Sequence, residues 1–351
     1  MPYALTTLAA LETLPFDEVI DVRSPAEFAE DHIPGSISLP ALDNAERARV
    51  GTIYTQQDPF LARKIGAALV ARNAARHLEG PLADRPGGWQ PLVYCWRGGQ
   101  RSGSFTSILQ QIGWRADTVQ GGYKSYRRLV VQRLHDQPLA LNAILIDGYT
   151  GTAKTEILHH LSRQGAQVID LEGLAQHRGS LFGGLAGPQP AQKMFESRLA
   201  AELRRIDPAA PVFLEAESNK IGDLMIPPTL WKAMLAAPRI RLRAPAAARA
   251  RHLIDTYEEL TSHPDQLLDL IDKLRPYHAA DRITLWQDQA RQGDFAALAR
   301  SLMEDHYDPR YEKSSARTAN DMATLQIDGF SPDDLAMTAT RISELIATHS
   351  R

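Results

Sequence analysis

The chain has 351 residues, 44% of them hydrophobic and 23% charged, with a formal net charge of -3 at pH 7; at roughly 150 residues per domain this is a globular chain of two domains, without a uniformly basic nucleic-acid coat. A lone cysteine, Cys95, excludes an internal disulfide and a cysteine-rich metal site. No apolar run reaches the roughly 20 residues of a membrane helix and no basic-then-apolar leader opens the chain, so a cytoplasmic location with no membrane partner is expected.

Glu18-Val19-Ile20-Asp21-Val22 reads as a short buried strand, and Ser24-Pro25-Ala26-Glu27 as a helix start with a capping residue, an early proline and an acid. His32 to Ile37 is a turn leading to a second extended segment. Leu61, Ile65, Ala68 and Leu69 carry helical spacing through residues 59–79. After a polar loop from Gly80 to Gly88, the apolar run Pro91-Leu92-Val93-Tyr94 delivers Cys95 into a glycine-containing turn before a helix over Ser104 to Ile112. A basic helical segment from Tyr123 to His135 joins this half to a strand at Ala143–Asp147. Further strands are expected near Val168–Asp170, Val212–Glu215 and Ile240–Leu242, with helices dominating from Ala246 to the end. Strands alternating with helices imply parallel α/β sheets. The domain boundary falls near Gln137, giving domains over 1–136 and 137–351.

The segment Cys95-Trp96-Arg97-Gly98-Gly99-Gln100-Arg101-Ser102 lies between a strand and a helix, where backbone N–H groups point at a bound anion. Gly98 and Gly99 let the loop curl, while Arg97 and Arg101 add positive charge that lowers the thiol pKa. Such a cysteine carries an extra chalcogen atom well; the plain alternative is a structural cysteine beside a helix cap.

Gly148-Tyr149-Thr150-Gly151-Thr152-Ala153-Lys154-Thr155 follows an apolar strand and precedes a helix, the setting of a phosphate-binding P-loop. Gly148 and Gly151 shape the cradle, Lys154 neutralises phosphate oxygens, and Thr155 is placed to ligand Mg²⁺ if nucleotide binds. Ala153 stands where the pattern has glycine, and its methyl is expected to crowd the loop and weaken nucleotide binding. Glu215 and Glu217 follow a strand near the place of a metal-orienting acid.

Asp21-Val22-Arg23-Ser24-Pro25-Ala26-Glu27-Phe28, His32-Ile33-Pro34-Gly35-Ser36-Ile37, the Cys95 loop and Gly121-Gly122-Tyr123-Lys124 together resemble the rhodanese family over about the first 135 residues. In that resemblance Asp21 and Arg23 are mainly structural. With the P-loop behind them, and with Asp170 to Ala175, His177-Arg178-Gly179-Ser180, Phe182-Gly183 and Glu217 to Gly222, almost the whole chain resembles the tRNA 2-selenouridine synthase family. The implied fold is α/β: a rhodanese-like parallel-sheet domain, then a P-loop NTPase-like α/β domain with a helical C-terminal region.

The resemblance implies a transferase acting on the wobble 2-thiouridine of tRNAs for lysine, glutamate and glutamine. The sulfur is first alkylated by geranyl diphosphate, and selenium from selenophosphate then displaces the geranylated sulfur. Cys95 is the implied selenium carrier, as S-selanylcysteine, with Gln100 in the same loop. The P-loop is then a candidate grip for the geranyl diphosphate. Arg178 is a candidate phosphate or tRNA contact, or else a structural arginine paired with Glu172. His177 and Glu217 are further candidate phosphate or tRNA contacts, and His177 is also a candidate proton carrier. The arginine-rich stretches 124–133 and 239–251 are expected either to meet tRNA phosphates or to be ordinary solvated faces. Two rival readings remain: a general sulfurtransferase with an appended nucleotide-binding module, and a scaffold with degenerate domains.

Overall fold

The computed structural model describes residues 1–184, 187–315 and 320–349. The chain forms two compact units, one of Met1–Pro138 with Pro190–Arg205 and one of Leu139–Gln189 with Ile206–Arg351.

In the first unit, β1 (Glu18–Asp21) and β3 (Pro91–Tyr94) lie at the centre of a four-stranded parallel sheet, with β2 (Ile37–Ser38) and β4 (Asp117–Thr118) at its edges. All four residues of β3 are buried, as expected of a strand covered on both faces. Helices α1 (Pro25–Glu30), α2 (Asn44–Gln56), α3 (Pro59–Glu79), α4 (Gln100–Ile112) and α5 (Gly122–Val131) complete the alternation. Helix α4 starts at Gln100, four residues before its expected start, so its first turn belongs to the cysteine loop. Ile20, Val22, Val93, Phe105 and Leu109 form the core, and Cys95 belongs to the same cluster.

The sequence places everything after residue 136 in the second domain, yet the later helix Gln192–Arg205 folds with the first unit. Its attachment is chemical as well as apolar. Arg127 bonds the Glu196 carboxylate and Arg204 meets Glu12 at 2.8 Å, while Phe195 and Leu199 are fully buried. None of these pairings is local in sequence.

The second unit is a five-stranded parallel sheet in the order β11-β10-β5-β7-β6. Its strands are β5 (Ala143–Gly148), β6 (Gln167–Ile169), β7 (Val212–Glu215), β10 (Arg239–Arg243) and β11 (Asp321–Gln326). Helices α6 (Lys154–Arg163) and α7 (Leu171–Ala175) precede Gln192–Arg205, which is α8. A small antiparallel hairpin, β8 (Lys220–Ile221) with β9 (Leu224–Met225), leads to α9 (Pro228–Ala236). All six residues of β5 are buried. Ile144, Ile146, Ile157, Leu158 and Leu242 pack with Ala339 and Ile342 of the last helix, α16.

From Ala246 the chain is mostly helical: α10 (Ala246–Thr256), α11 (Glu258–Thr261), α12 (Pro264–Asp272), α13 (Ala280–Gln292), α14 (Phe295–Leu302), α15 (Asp308–Ser315) and α16 (Pro332–His349). Trp286, Ile283, Ile271 and Leu298 give these helices a core of their own. Helices dominate this end as expected, and one strand lies among them: β11, which pairs in parallel with β10. Only Leu325 of that strand is buried, so it carries no apolar run. Among the described residues no helix is long and apolar enough to cross a membrane.

Candidate active sites: the cysteine loop and the phosphate loop

Cys95 follows β3 directly, at the point where the chain turns into α4. Its Sγ accepts the Gly99 N–H at 3.3 Å and lies 3.2 Å from Ser102 Oγ. Burial pushes the thiol pKa up, but the Ser102 hydroxyl and N–H, the Arg101 charge and the Arg97 N–H outweigh it and leave it below the ordinary value. The residue is only 3% exposed. Its sulfur therefore sits beneath the loop, with hydrocarbon behind and peptide donors in front.

Two expectations about this loop change. Arg97 is exposed and acts on the sulfur through its backbone N–H; Arg101 supplies the charge. Arg101 is itself bound by Glu27 of α1 at 2.7 Å. Of the two glycines, Gly98 takes φ +66, whereas Gly99 has open space around a built Cβ and negative φ, so only Gly98 is required by the turn. Ser102 is the functional partner that sequence reasoning missed; its signal was a hydroxyl in the first turn of the helix that begins at Gln100.

The motifs flanking the loop brace it. Arg23 donates to Asp21 at 2.6 Å, and its guanidinium lies 4.0 Å from the centroid of the Tyr123 ring, both charges being buried. Tyr123 in turn donates its N–H to the Cys95 carbonyl at 2.8 Å and its hydroxyl to Asp31 at 2.6 Å. Beside the loop is a cleft of about 270 Å³ lined by Gln100, Arg101 and Ser104 of α4 and by Tyr54 and Arg63. Cys95 is not among its lining residues.

In the second unit, β5 ends in Asp147-Gly148 and the phosphate loop turns into α6 at Lys154. Gly148, Gly151, Lys154 and Thr155 line a cleft of about 410 Å³, with Glu172, Arg178 and Glu217 across it. Ala153 adopts φ +53, ψ +36, the left-handed shape of the glycine it replaces. Its side chain belongs to the apolar core with Ile157 and Leu158, so the feared crowding becomes a backbone strain of about 1 kcal/mol. Lys154 Nζ reaches back to the Gly148 carbonyl at 3.2 Å.

Thr155 donates to Glu172 at 3.0 Å. Burial and the neighbouring Glu217 charge push the Glu172 carboxyl well above the usual range, and Lys154 and Thr155 only partly offset them. Glu215 is fully buried and accepts the Leu171 N–H at 3.1 Å, tying β7 to α7; it does not line the cleft. Of the two acids expected there, Glu217 faces the phosphate site. Arg178 lies 5.1 Å over the Tyr257 ring, and no ion pair joins it to Glu172 among the described residues. His177 is off the cleft wall, with a buried Nδ1 and a pKa lowered by burial.

The arginine-rich stretch after β9 is mostly spent internally. Arg239 meets Asp147 at 3.3 Å, Arg241 meets Asp321 at 3.0 Å, and Arg249 forks Asp308 at 3.0 and 2.7 Å. These three are excluded as free phosphate contacts, whereas Arg243 and Arg251 are exposed. In the earlier stretch Arg127 is held by Glu196, and Lys124 and Arg128 are exposed.

A braced, acidified thiol above one parallel sheet and a phosphate cradle at the end of another define a two-unit protein of the rhodanese-plus-P-loop class. Residues 6–129 match the rhodanese-like domain model, and residues 141–269 match the tRNA 2-selenouridine synthase AAA domain model. The tRNA 2-selenouridine synthases of Pseudomonas fluorescens and Alcanivorax borkumensis are each 32% identical to this chain, over 84% and 86% of it and 87% and 90% of their own lengths. That of Aeromonas salmonicida is 38% identical over 68% of this chain, a match spanning 64% of the relative. The chain belongs to the tRNA 2-selenouridine synthase family, a family of tRNA-modifying transferases.

Proposed function

We propose that the chain converts wobble 2-thiouridine in tRNAs for lysine, glutamate and glutamine to 2-selenouridine in the cytoplasm, with Cys95 as the nucleophile that releases selenium from selenophosphate and the P-loop holding geranyl diphosphate. The thiocarbonyl sulfur attacks C1 of the geranyl group; the C–O bond breaks, diphosphate leaves with the electron pair, and N3 loses its proton. Alkylation turns a poor leaving group into a good thiol. The Cys95 thiolate attacks phosphorus of selenophosphate, the P–Se bond breaks and hydroselenide leaves. Hydroselenide adds at C2 and expels geranylthiol, and one water hydrolyses the phosphorylated thiol, so that the products are 2-selenouridine, geranylthiol and phosphate.

The observation that carries this reading is the Cys95 sulfur, held by the Gly99 N–H and Ser102 with its pKa drawn down, in a chain of this family. Lys154 and Arg178 supply positive charge for the diphosphate. Mg²⁺ accompanying it would be held by Thr155 and Glu217, two of the oxygen donors on the cleft wall. His177 is left without a step. Exposed Lys124, Arg128, Arg243 and Arg251 are the cations available to tRNA phosphates.

Mass spectrometry of nucleosides, after incubating the chain with thiolated tRNA, geranyl diphosphate and selenophosphate, tests the scheme. Cys95→Ser should accumulate S-geranyl-2-thiouridine, and Lys154→Ala should form neither product. Undiminished geranylation by Lys154→Ala would reject the P-loop role. A general sulfurtransferase would make no selenium-containing nucleoside at all.

A further inference from the structure

In the P-loop unit the phosphate cleft shares a wall with an apolar cavity of about 80 Å³, closed by Leu260, Leu267, Phe295, Leu298 and Leu302 of the C-terminal helices. Thr150, Ser180 and Tyr257 line both spaces. Ser180 Oγ and Tyr257 Oη lie 3.1 Å apart and Thr261 donates to the Glu258 carbonyl at 2.9 Å, while Tyr307 Oη is buried without a partner among the described residues; most of the remaining wall is hydrocarbon. A wall with so few free polar groups does not match the several donors and acceptors on the edge of a nucleobase, whereas a hydrocarbon needs no such partner. An anion cradle opening beside an apolar cavity fits one kind of ligand, a diphosphate ester of a hydrocarbon chain.

We infer that this cavity seats the far end of the donor's prenyl chain and sets the chain length that the P-loop unit accepts. The inference rests on the diphosphate reading of the P-loop given above. An apolar cavity of about 150 Å³ takes a benzene ring, so the smaller space here takes a terminal branched group while the rest of the chain runs along the 410 Å³ cleft. Each methylene buried is roughly a fourfold gain in affinity, and a buried terminal group on the order of tens of fold. Leu298 is buried and Ala299 half-buried on the cavity wall, which makes them the residues that set its depth.

Calorimetric competition on the full chain with inorganic diphosphate, dimethylallyl diphosphate, geranyl diphosphate, farnesyl diphosphate and ATP tests this. Geranyl diphosphate should bind tens of fold more tightly than the five-carbon ester. Ala299→Phe should erase most of that ratio while leaving inorganic diphosphate within about twofold, and Leu298→Ala should shift preference toward the fifteen-carbon ester. Equal affinity of the unaltered chain for the five- and ten-carbon esters, a measurement that needs no variant, overturns the cavity assignment and leaves the diphosphate reading standing. ATP binding more tightly than any prenyl ester, or no diphosphate binding at all, overturns the diphosphate reading and the cavity assignment with it.

Discussion

Gly98 and Gly122 meet backbone to backbone: a Cβ built on Gly122 would stand 2.5 Å from the Gly98 nitrogen and 2.3 Å from the Cys95 carbonyl oxygen. Both take positive φ, +66 and +60. The closing Gly-Gly-Tyr-Lys turn is thus pressed under the cysteine loop, and neither can move without the other. Gly122→Ala should therefore destabilise the first unit by ~2–4 kcal/mol and abolish selenation. Thermal unfolding checks it; a melting curve matching the parent's would show that the contact is dispensable.

Ser102 is the side chain that most directly offsets the desolvation of Cys95. Because the folded thiol pKa lies below its unfolded value, the stabilisation it brings is present above the unfolded pKa and is lost as pH falls through the folded one. Ser102→Ala should raise the thiol pKa and slow iodoacetamide alkylation at pH 7 by about three- to tenfold. An unchanged pH profile would assign the control of the sulfur to Arg101 and the backbone alone.

Arg101 and Glu27 join α4 to α1 across the first unit, with side chains 16% and 18% exposed. Burial raises the Glu27 pKa, but Arg101 and the Ser24 N–H outweigh it and hold it at about 2. A carboxylate depressed on folding stabilises above its unfolded pKa of about 4.3, and that contribution fades as pH falls toward 2. Arg101→Ala should cost about 1 kcal/mol in urea unfolding at pH 7, given partial solvent screening, and less at pH 3.5. A deficit of the same size at both pH values would place the effect in packing.

Glu172 lies at the opposite extreme, raised by burial and by Glu217. Its unfolded form ionises at about 4.3, so the folded protein is progressively penalised as pH rises above that value until its own raised pKa is passed. Glu172→Gln still accepts the Thr155 hydroxyl and removes the penalty. It should be more stable than the parent by on the order of 1–2 kcal/mol at pH 8, with no gain at pH 4. Loss of stability at both pH values would show that the two carboxyls are not in conflict.

The central strands were legible because a parallel strand covered on both faces is written as an unbroken apolar run, as in Pro91–Tyr94 and Ala143–Ile146. Strand β11 was not, because an edge strand with only Leu325 buried leaves no periodic trace. The cysteine and phosphate loops were readable as motifs, since turn geometry confines residue choice locally. What lay beyond reading was partnership at a distance. Thr155 finds Glu172, Arg101 finds Glu27 and Arg249 finds Asp308 only after folding, so arginines that look like a basic face in one dimension are consumed as ion pairs in three.

Because residues 190–205 complete the cysteine unit, that unit cannot finish folding when residue 138 leaves the ribosome. The first strand and the phosphate loop of the other unit emerge in between, so the last helix of the cysteine unit is made only after synthesis of the second unit has begun. A gene split at the apparent border would deliver the thiol on a unit still missing a helix.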